Sequence, residues 1–203
     1  MTQQDRAHQT LLPVFLKLVG RRVLLVGGGT VACARLAELV RTGALVTVVA
    51  PEIRPAITTF EGLVIVQRGF VASDLDGVWF VVAAATPEIN RQVAAVADAR
   101  GVFVNVVDDA DRATAYMGGV LRKGGATIAI STEGRAPALA GLLREGIEAL
   151  VPDDIEAWVS AAHRLRQEQR AAAVPMGHRR PLLLTALNRL YEMPDTVVSD
   201  SRS

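Results

Sequence analysis

Three groups of residues in this chain have the types and spacing to do chemistry. The first is Gly27-Gly28-Gly29-Thr30-Val31-Ala32, which follows the apolar run Val23 to Val26. Its frame Gly27-x-Gly29-x-x-Ala32 fits a dinucleotide fingerprint. The first glycine permits a tight turn, the second lets backbone approach a pyrophosphate, and the small third residue lets helix and strand pack closely. The free amides of Thr30 and Val31 at the helix start, with the helix dipole, then form an anion site that needs no basic side chain. The second group is Pro51 and Glu52, which follow the apolar run Leu45 to Ala50 at roughly the offset where such a unit sets an acid against the ribose of NAD. Arg54 is the nearby cation that would accept a 2′-phosphate instead. The third is Asp108, which closes the run Val102 to Val107. Ligands of an open parallel sheet lie beyond the carboxyl ends of its strands, so Asp108 stands where a nicotinamide is directed, as a base or an orienting group. The competing reading of Asp108 is an aspartate that starts a turn. Thr86 and Asn105, also at strand ends, read as cofactor contacts or loop stabilisers rather than catalysts.

Those residues need a scaffold, and the apolar patterning supplies one. After the strands ending at Val26 and Ala50, Leu63 to Val66 reads as a third strand. Val78 to Ala84 reads as a fourth, continuous and therefore buried on both faces. Pro87 sits where a first helical residue would, with Ile89, Val93, Val96 and Ala97 as its apolar stripe, and Gly101 ends that helix. A fifth strand over Val102 to Val107 completes an α/β, Rossmann-like parallel sheet in residues 1–112. The pattern then changes. Ala115 to Leu121 and Ala126 to Ile130 read as two strands joined through Arg122-Lys123-Gly124-Gly125, followed by a polar turn from Ser131 to Arg135 and a helix that Pro137 opens and Pro152 ends. Residues 113–150 are thus expected to be a small α+β dimerisation segment, too open-faced for a core of its own and completed by a second copy of the chain. Residues 151–203 form a C-terminal helical region, with helices near Asp153 to Arg170 and Pro181 to Tyr191 and a polar tail. Met1 to Thr10 reads as a disordered leader, and Leu11 to Leu16 as an apolar lead-in packed beside the first strand.

Composition narrows the function classes. A net charge of +1 over 203 residues implies no field for nucleic acid or a membrane surface. No apolar run reaches about 18 residues and the start is polar, so neither a spanning helix nor a signal peptide is expected. The single cysteine, Cys33, excludes a disulfide framework and fits a reducing, cytoplasmic setting. His8, His163 and His178 lack metal-ligand spacing, so no fixed metal is expected. Among 22 basic residues only Lys17 and Lys123 are lysine. Guanidinium forks suit carboxylates, a reading weighed against a plain compositional bias that explains the arginine excess at least as well. The Tyr-x-x-x-Lys pair of short-chain reductases is absent, because Val120 and Asp195 stand four after Tyr116 and Tyr191. The alternative to an enzyme is a non-catalytic NAD-sensing module, which needs the glycine turn and no base.

With these pieces in place the chain resembles the precorrin-2 dehydrogenase and sirohydrochlorin ferrochelatase family, of the siroheme synthase N-terminal type. The likeness rests on Leu12-Pro13-Val14-Phe15-Leu16, the glycine turn, Val48-Val49-Ala50-Pro51-Glu52, Ala83-Ala84-Ala85-Thr86, Asn105-Val106-Val107-Asp108, Ile130-Ser131-Thr132, Pro137-Ala138-Leu139-Ala140 and Met176-Gly177-His178-Arg179-Arg180. The resemblance implies NAD-dependent oxidation of precorrin-2 to sirohydrochlorin, an intertwined homodimer and, in some members, insertion of ferrous iron or cobalt. It implies that Asp108 takes a proton or orients the macrocycle's pyrrole N–H groups, and that the substrate's rim of carboxylates needs cations. Arg122, Lys123, Arg135, Arg144, Arg164, Arg166, Arg179 and Arg180 are the candidates, with Arg135, Arg144 and Thr132 expected at the substrate and each cation weighed against an ordinary solvated face. Thr132 lies where some relatives carry a serine reported as phosphorylated. Only the first domain of the larger trifunctional relatives is represented. The chain departs from the family pattern at Tyr116-Met117-Gly118-Gly119, at Glu133-Gly134 and at Ala136, and Glu133 adds negative charge beside a polyanionic substrate.

Overall fold

A computed structural model describes residues 11–190 of the chain. The expected leader with His8, Tyr191 and the polar tail lie outside those residues. The chain divides into two compact units, one running to Gly118 and taking in Ser131–Pro137, the other made of Gly119–Ile130 and the residues from Ala138 onward.

The first unit is the expected α/β sheet. Five parallel strands, β1 (Arg22–Val26), β2 (Leu45–Val49), β3 (Val64–Val66), β4 (Phe80–Ala83) and β5 (Phe103–Val106), lie in the order β3-β2-β1-β4-β5. Chain order reverses between β1 and β4, and at that reversal a doubly wound sheet opens its ligand crevice. Side chains alternate across the sheet. Val23, Leu25, Val46, Val48, Phe80 and Val82 pack with Leu36 and Leu39 of α1 (Thr30–Val40), whereas Leu24, Val26, Val81 and Val104 pack with Val93 and Ala97 of α3 (Pro87–Ala99). Both faces are covered, which explains the near-continuous apolar runs of β1 and β4. The four-residue α2 (Pro55–Thr58) follows β2 and buries Ile57.

Two sequence expectations fail in this unit. No strand runs from Ala115. Instead the amides of Thr114 and Ala115 both donate to the Val104 carbonyl, Thr114 Oγ1 accepts from the Val104 amide, and Asn105 Nδ2 donates to the Ala115 carbonyl. The segment is thereby held along β5, while Ala115 and Met117 add to the α1-side core. The lead-in does not pack either: Leu12, Val14 and Phe15 are exposed and Leu18 is the residue that enters the core. Both neighbours of β1 in the sheet are taken by β2 and β4, so no ladder is open to it there.

In the second unit β6 (Gly119–Lys123) and β7 (Ala126–Ile130) form an antiparallel hairpin, with Lys123 opposite Ala126. Arg122 and Lys123 therefore belong to the strand, and the turn is Gly124-Gly125 alone. Both glycines have positive φ, +51° and +80°, the condition that a two-residue hairpin turn of matching twist imposes. Three helices follow, α4 (Pro137–Leu150), α5 (Ile155–Ala171) and α6 (Met176–Asn188). Lys123 Nζ joins the end of α4 to the approach of α5 through the Val151 carbonyl at 3.0 Å and Asp153 at 2.7 Å. Pro181 lies inside α6 rather than opening it. Pro175, with extended backbone, caps that helix, and the residue before Pro181 has already been committed to helical geometry by the first turn. On α4, Leu139, Leu142, Leu143 and Leu150 remain exposed. No described helix is long and apolar enough to cross a membrane.

Candidate active site

The glycine turn is shaped by backbone crowding. Gly27 has φ +130°, and a Cβ there would stand 2.2 Å from the Ala84 carbonyl oxygen, so the β1 turn abuts the end of β4 at the sheet's reversal point. A Cβ on Gly28 would come within 1.9 Å of the Glu52 carbonyl oxygen, and the Arg54 amide donates to the Gly28 carbonyl at 3.0 Å. Both substitutions collide with main chain, which cannot rotate aside as a side chain can. Gly29 is different: nothing lies within 4 Å of its absent Cβ. It is the N-cap of α1, it offers no side-chain cap, and the first turn of α1 holds no acid. The amides of exposed Thr30 and Val31 thus start a helix with no side-chain cap and no acid in its first turn, the arrangement that receives a pyrophosphate. Ala32 is fully buried against the core, as close helix-to-strand packing requires.

The other expected cofactor residues divide. Pro51 and Glu52 are exposed beside the glycine turn, with Glu52 touching it through its carbonyl. Thr86 caps α3, its Oγ1 accepting from the Ile89 amide at 3.5 Å, a long bond. Asn105 is only 7% exposed. Its Nδ2 is used on Ala115 and its Oδ1 has no partner among the described residues. A buried acceptor without a donor costs about 1–3 kcal/mol, which singles it out on a strand that ends at the crevice.

Asp108 follows β5 in the left-handed region, with φ +59°. Aspartate tolerates that conformation better than most residues, and backbone held there turns the chain sharply out of the strand. The Val107 amide donates to the Ala83 carbonyl, and the Ala84 amide to the Val26 carbonyl, which joins the carboxyl ends of β5, β4 and β1. Asp108 is therefore two strands from the glycine turn, about 10 Å at the usual spacing. Its exposed carboxylate forms no hydrogen bond or ion pair among the described residues, whereas neighbouring Asp109 is bound by Arg112 at 2.6 Å.

Asp108 opens onto a cleft of about 870 Å³. One wall is the stripe Arg91, Ala94, Ala95 and Asp98 of α3; the others are the segment from Asp109 to Thr114 with Tyr116, the turn from Glu133 to Arg135, and Leu11. The glycine turn does not line it. Gly134 (φ +73°) is pressed against Ala110 and the Tyr116 ring, and the Tyr116 hydroxyl donates to the Ala110 carbonyl at 2.9 Å. Arg135 is in the cleft, 3.3 Å from Glu133, and Arg91 pairs with Glu88. Each cation facing the cleft thus already has a carboxylate neighbour, and a polycarboxylate ligand must exchange with them. Thr132 belongs to the same turn but does not line the cleft; its Oγ1 accepts from the Ala136 amide. Arg144 lies in the second unit, where Glu148 and Glu145 engage it at 2.6 and 3.2 Å. Sequence reasoning missed the α3 wall. Its signal was present as the 91, 94, 95, 98 spacing, a stripe that borders the buried face at Ala94 and carries Arg91 and Asp98 at its ends.

Residues 14–119 match the family described as putative NAD(P)-binding, and residues 124–150 the one described as sirohaem biosynthesis protein, central. The siroheme synthase of Photorhabdus laumondii is 38% identical over 90% of this chain and 40% of its own length. Siroheme synthase 3 of Aeromonas hydrophila is 40% identical over 83% of this chain and 37% of its own. This chain therefore spans about two fifths of the curated relatives it matches. Among solved structures, SirC, a precorrin-2 dehydrogenase, aligns with a TM-score of 0.69 at 26% identity, over 89% of this chain and 92% of that one.

Proposed function

Because this chain belongs to the siroheme synthase N-terminal family, we propose that it oxidises precorrin-2 to sirohydrochlorin with NAD as the oxidant, a step of siroheme or cobalamin formation. The observation that carries the reading is Asp108: a carboxylate without a partner among the described residues, at the carboxyl end of β5, two strands from an uncapped glycine turn and open to a cleft in the same unit. The oxidation removes two hydrogens from the macrocycle, one as hydride and one as a proton. When bound, NAD supplies the hydride acceptor. The main chain of Gly27, Gly28, Gly29, Thr30 and Val31 would hold its pyrophosphate, Pro51 and Glu52 would border the adenosine ribose, and Thr86 and Asn105 would stand toward the other end. The fit is supported by the empty side of Gly29 and by the spare acceptor on Asn105.

Asp108 takes the proton in this scheme. A free carboxylate is competent as a base and needs no prior release from an ion pair. Arg135 supplies a charge for a substrate carboxylate, with Thr132 setting the shape of its turn. Arg144 is a further candidate charge for a substrate carboxylate, and the exposed leucines of α4 support a homodimer as a surface to be covered. Cys33 as a single unpaired thiol agrees with a cytoplasmic setting. An ion inserted into sirohydrochlorin would be a substrate of this chain, held mostly by the macrocycle.

The test is an anaerobic assay with precorrin-2 and NAD that follows NADH and sirohydrochlorin together, with ferrous or cobaltous ion added afterwards. Stoichiometric formation of both products is expected. A protein that binds NAD and forms neither product would leave a sensing module as the better account.

A further inference from the structure

Arg54 is out of place for a residue with no ligand to meet. Its Nη1 donates to Thr30 Oγ1 at 2.9 Å, so the guanidinium is held beside the first residue of α1. That is the positive end of a helix, where an acid is favoured and a cation is not. No acid compensates: the first turn of α1 has none, Gly29 contributes no cap, and Arg54 has no carboxylate partner among the described residues. Arg68 and Arg100 of the same unit, by contrast, are each bound to an aspartate at 2.5 Å.

The main chain under Arg54 is fixed as well. Its amide donates to the Gly28 carbonyl, its carbonyl accepts from the amide of buried Ile57, and Pro55 follows it as the first residue of α2. Residue 54 is thus fastened to the glycine turn itself, and only its side chain is free to swing. A guanidinium has five N–H donors and this one uses a single donor on a neutral hydroxyl. An anion set before the uncapped amides of α1 would turn two mutually repelling positive groups into two ligands of one counter-ion.

We propose that Arg54 is a phosphate ligand of the bound dinucleotide. Its attachment to Thr30 favours a pyrophosphate oxygen, and the 2′-phosphate of NADP is the other phosphate source within the same chemistry. The inference rests on the dinucleotide reading of the crevice and adds to it a basic residue that the glycine fingerprint does not contain.

The experiment is calorimetric titration of the full chain with NAD and with NADP, for the wild type, Arg54→Ala, Arg54→Gln and Arg54→Lys, at low and moderate salt. A charge-assisted bond to phosphate predicts that Arg54→Ala and Arg54→Gln raise Kd for NAD about tenfold or more, that Arg54→Lys recovers part of this, and that the deficit shrinks as salt rises. Melting temperature should not change, since the side chain is exposed. Equal losses for NAD and NADP assign the pyrophosphate; loss for NADP alone assigns the 2′-phosphate. Wild-type binding with no change for either dinucleotide in Arg54→Ala overturns the role of Arg54 and leaves the crevice standing. A wild type that binds neither dinucleotide overturns the crevice and this inference together.

Discussion

Replacing Asp108 is the sharpest probe of the proposed chemistry, and the backbone decides which replacement to make. With φ at +59°, an alanine would carry a conformational penalty of about 1–2 kcal/mol, which at this chain length lowers the melting temperature by several degrees and mixes folding into any kinetic result. Asparagine tolerates the left-handed region, keeps the shape and removes the charge and the basicity. The Asp108 carboxylate has no partner among the described residues, so Asp108→Asn breaks no ion pair and should melt with the wild type. Loss of a general base lowers turnover about 10²- to 10⁴-fold, equivalent to about 3–5 kcal/mol of barrier. The glycine turn lies two strands away, so Kd for NAD should stay within about twofold, a difference of under ~0.5 kcal/mol. The assay is anaerobic stopped flow with precorrin-2, reading NADH, paired with titration of NAD alone. Turnover by Asp108→Asn within about threefold of wild type, less than ~0.7 kcal/mol, would refute the assignment of the proton to this carboxylate.

Other predictions follow from the same geometry. Gly28→Ala forces a methyl onto the Glu52 carbonyl and should destabilise the fold by about 1–3 kcal/mol or more, whereas Gly29→Ala meets nothing, should melt as wild type and should weaken NAD binding alone; thermal scans with titrations separate the two. Leu142→Asp places a charge on the exposed face of α4 and should return a light-scattering mass near 21.6 kDa, the mass of one chain, where the proposed dimer of the wild type should return about twice that. A hydrogen bond from Arg68, with a second from the Val71 amide, holds the Asp74 carboxyl below the usual carboxylate range. Below its ordinary value, about 4, the unfolded chain binds more protons at this site than the folded one, so the contribution is full above that pH and is lost as pH falls through the folded value. Urea midpoints from pH 7 to pH 3 should fall less steeply for Asp74→Asn.

The nucleotide unit was largely legible because its signals are local. Val23 to Gly29 is a strand and turn in consecutive residues, and Pro87 announces a helix start that the structure reproduces, with Thr86 found as its cap. What sequence did not disclose depends on distant backbone. The need for glycine at 28 comes from the Glu52 carbonyl, 24 positions away, and the departure of Ala115 from strand geometry comes from bonds to Val104 and Asn105. Pro181 misled for a related reason: proline marks a helix start on average, and here Pro175 had already supplied one. In the cleft, the position of Asp108 just past the end of β5 was readable from the sequence, while the pairing of Arg135 with Glu133 required the turn to be folded.

The bonds between Val104 and the Thr114-Ala115 segment also have a bearing on how the nucleotide unit can be isolated. β5 is an outer strand, and its free flank would otherwise display donors and acceptors to any other extended chain. Thr114 and Ala115 occupy that flank at Val104, with Asn105 as a second fastening. A fragment cut after Arg112 would discard this stopper and bare a hydrophobic ribbon suited to intermolecular pairing. One carried through Gly118 would keep its margin closed.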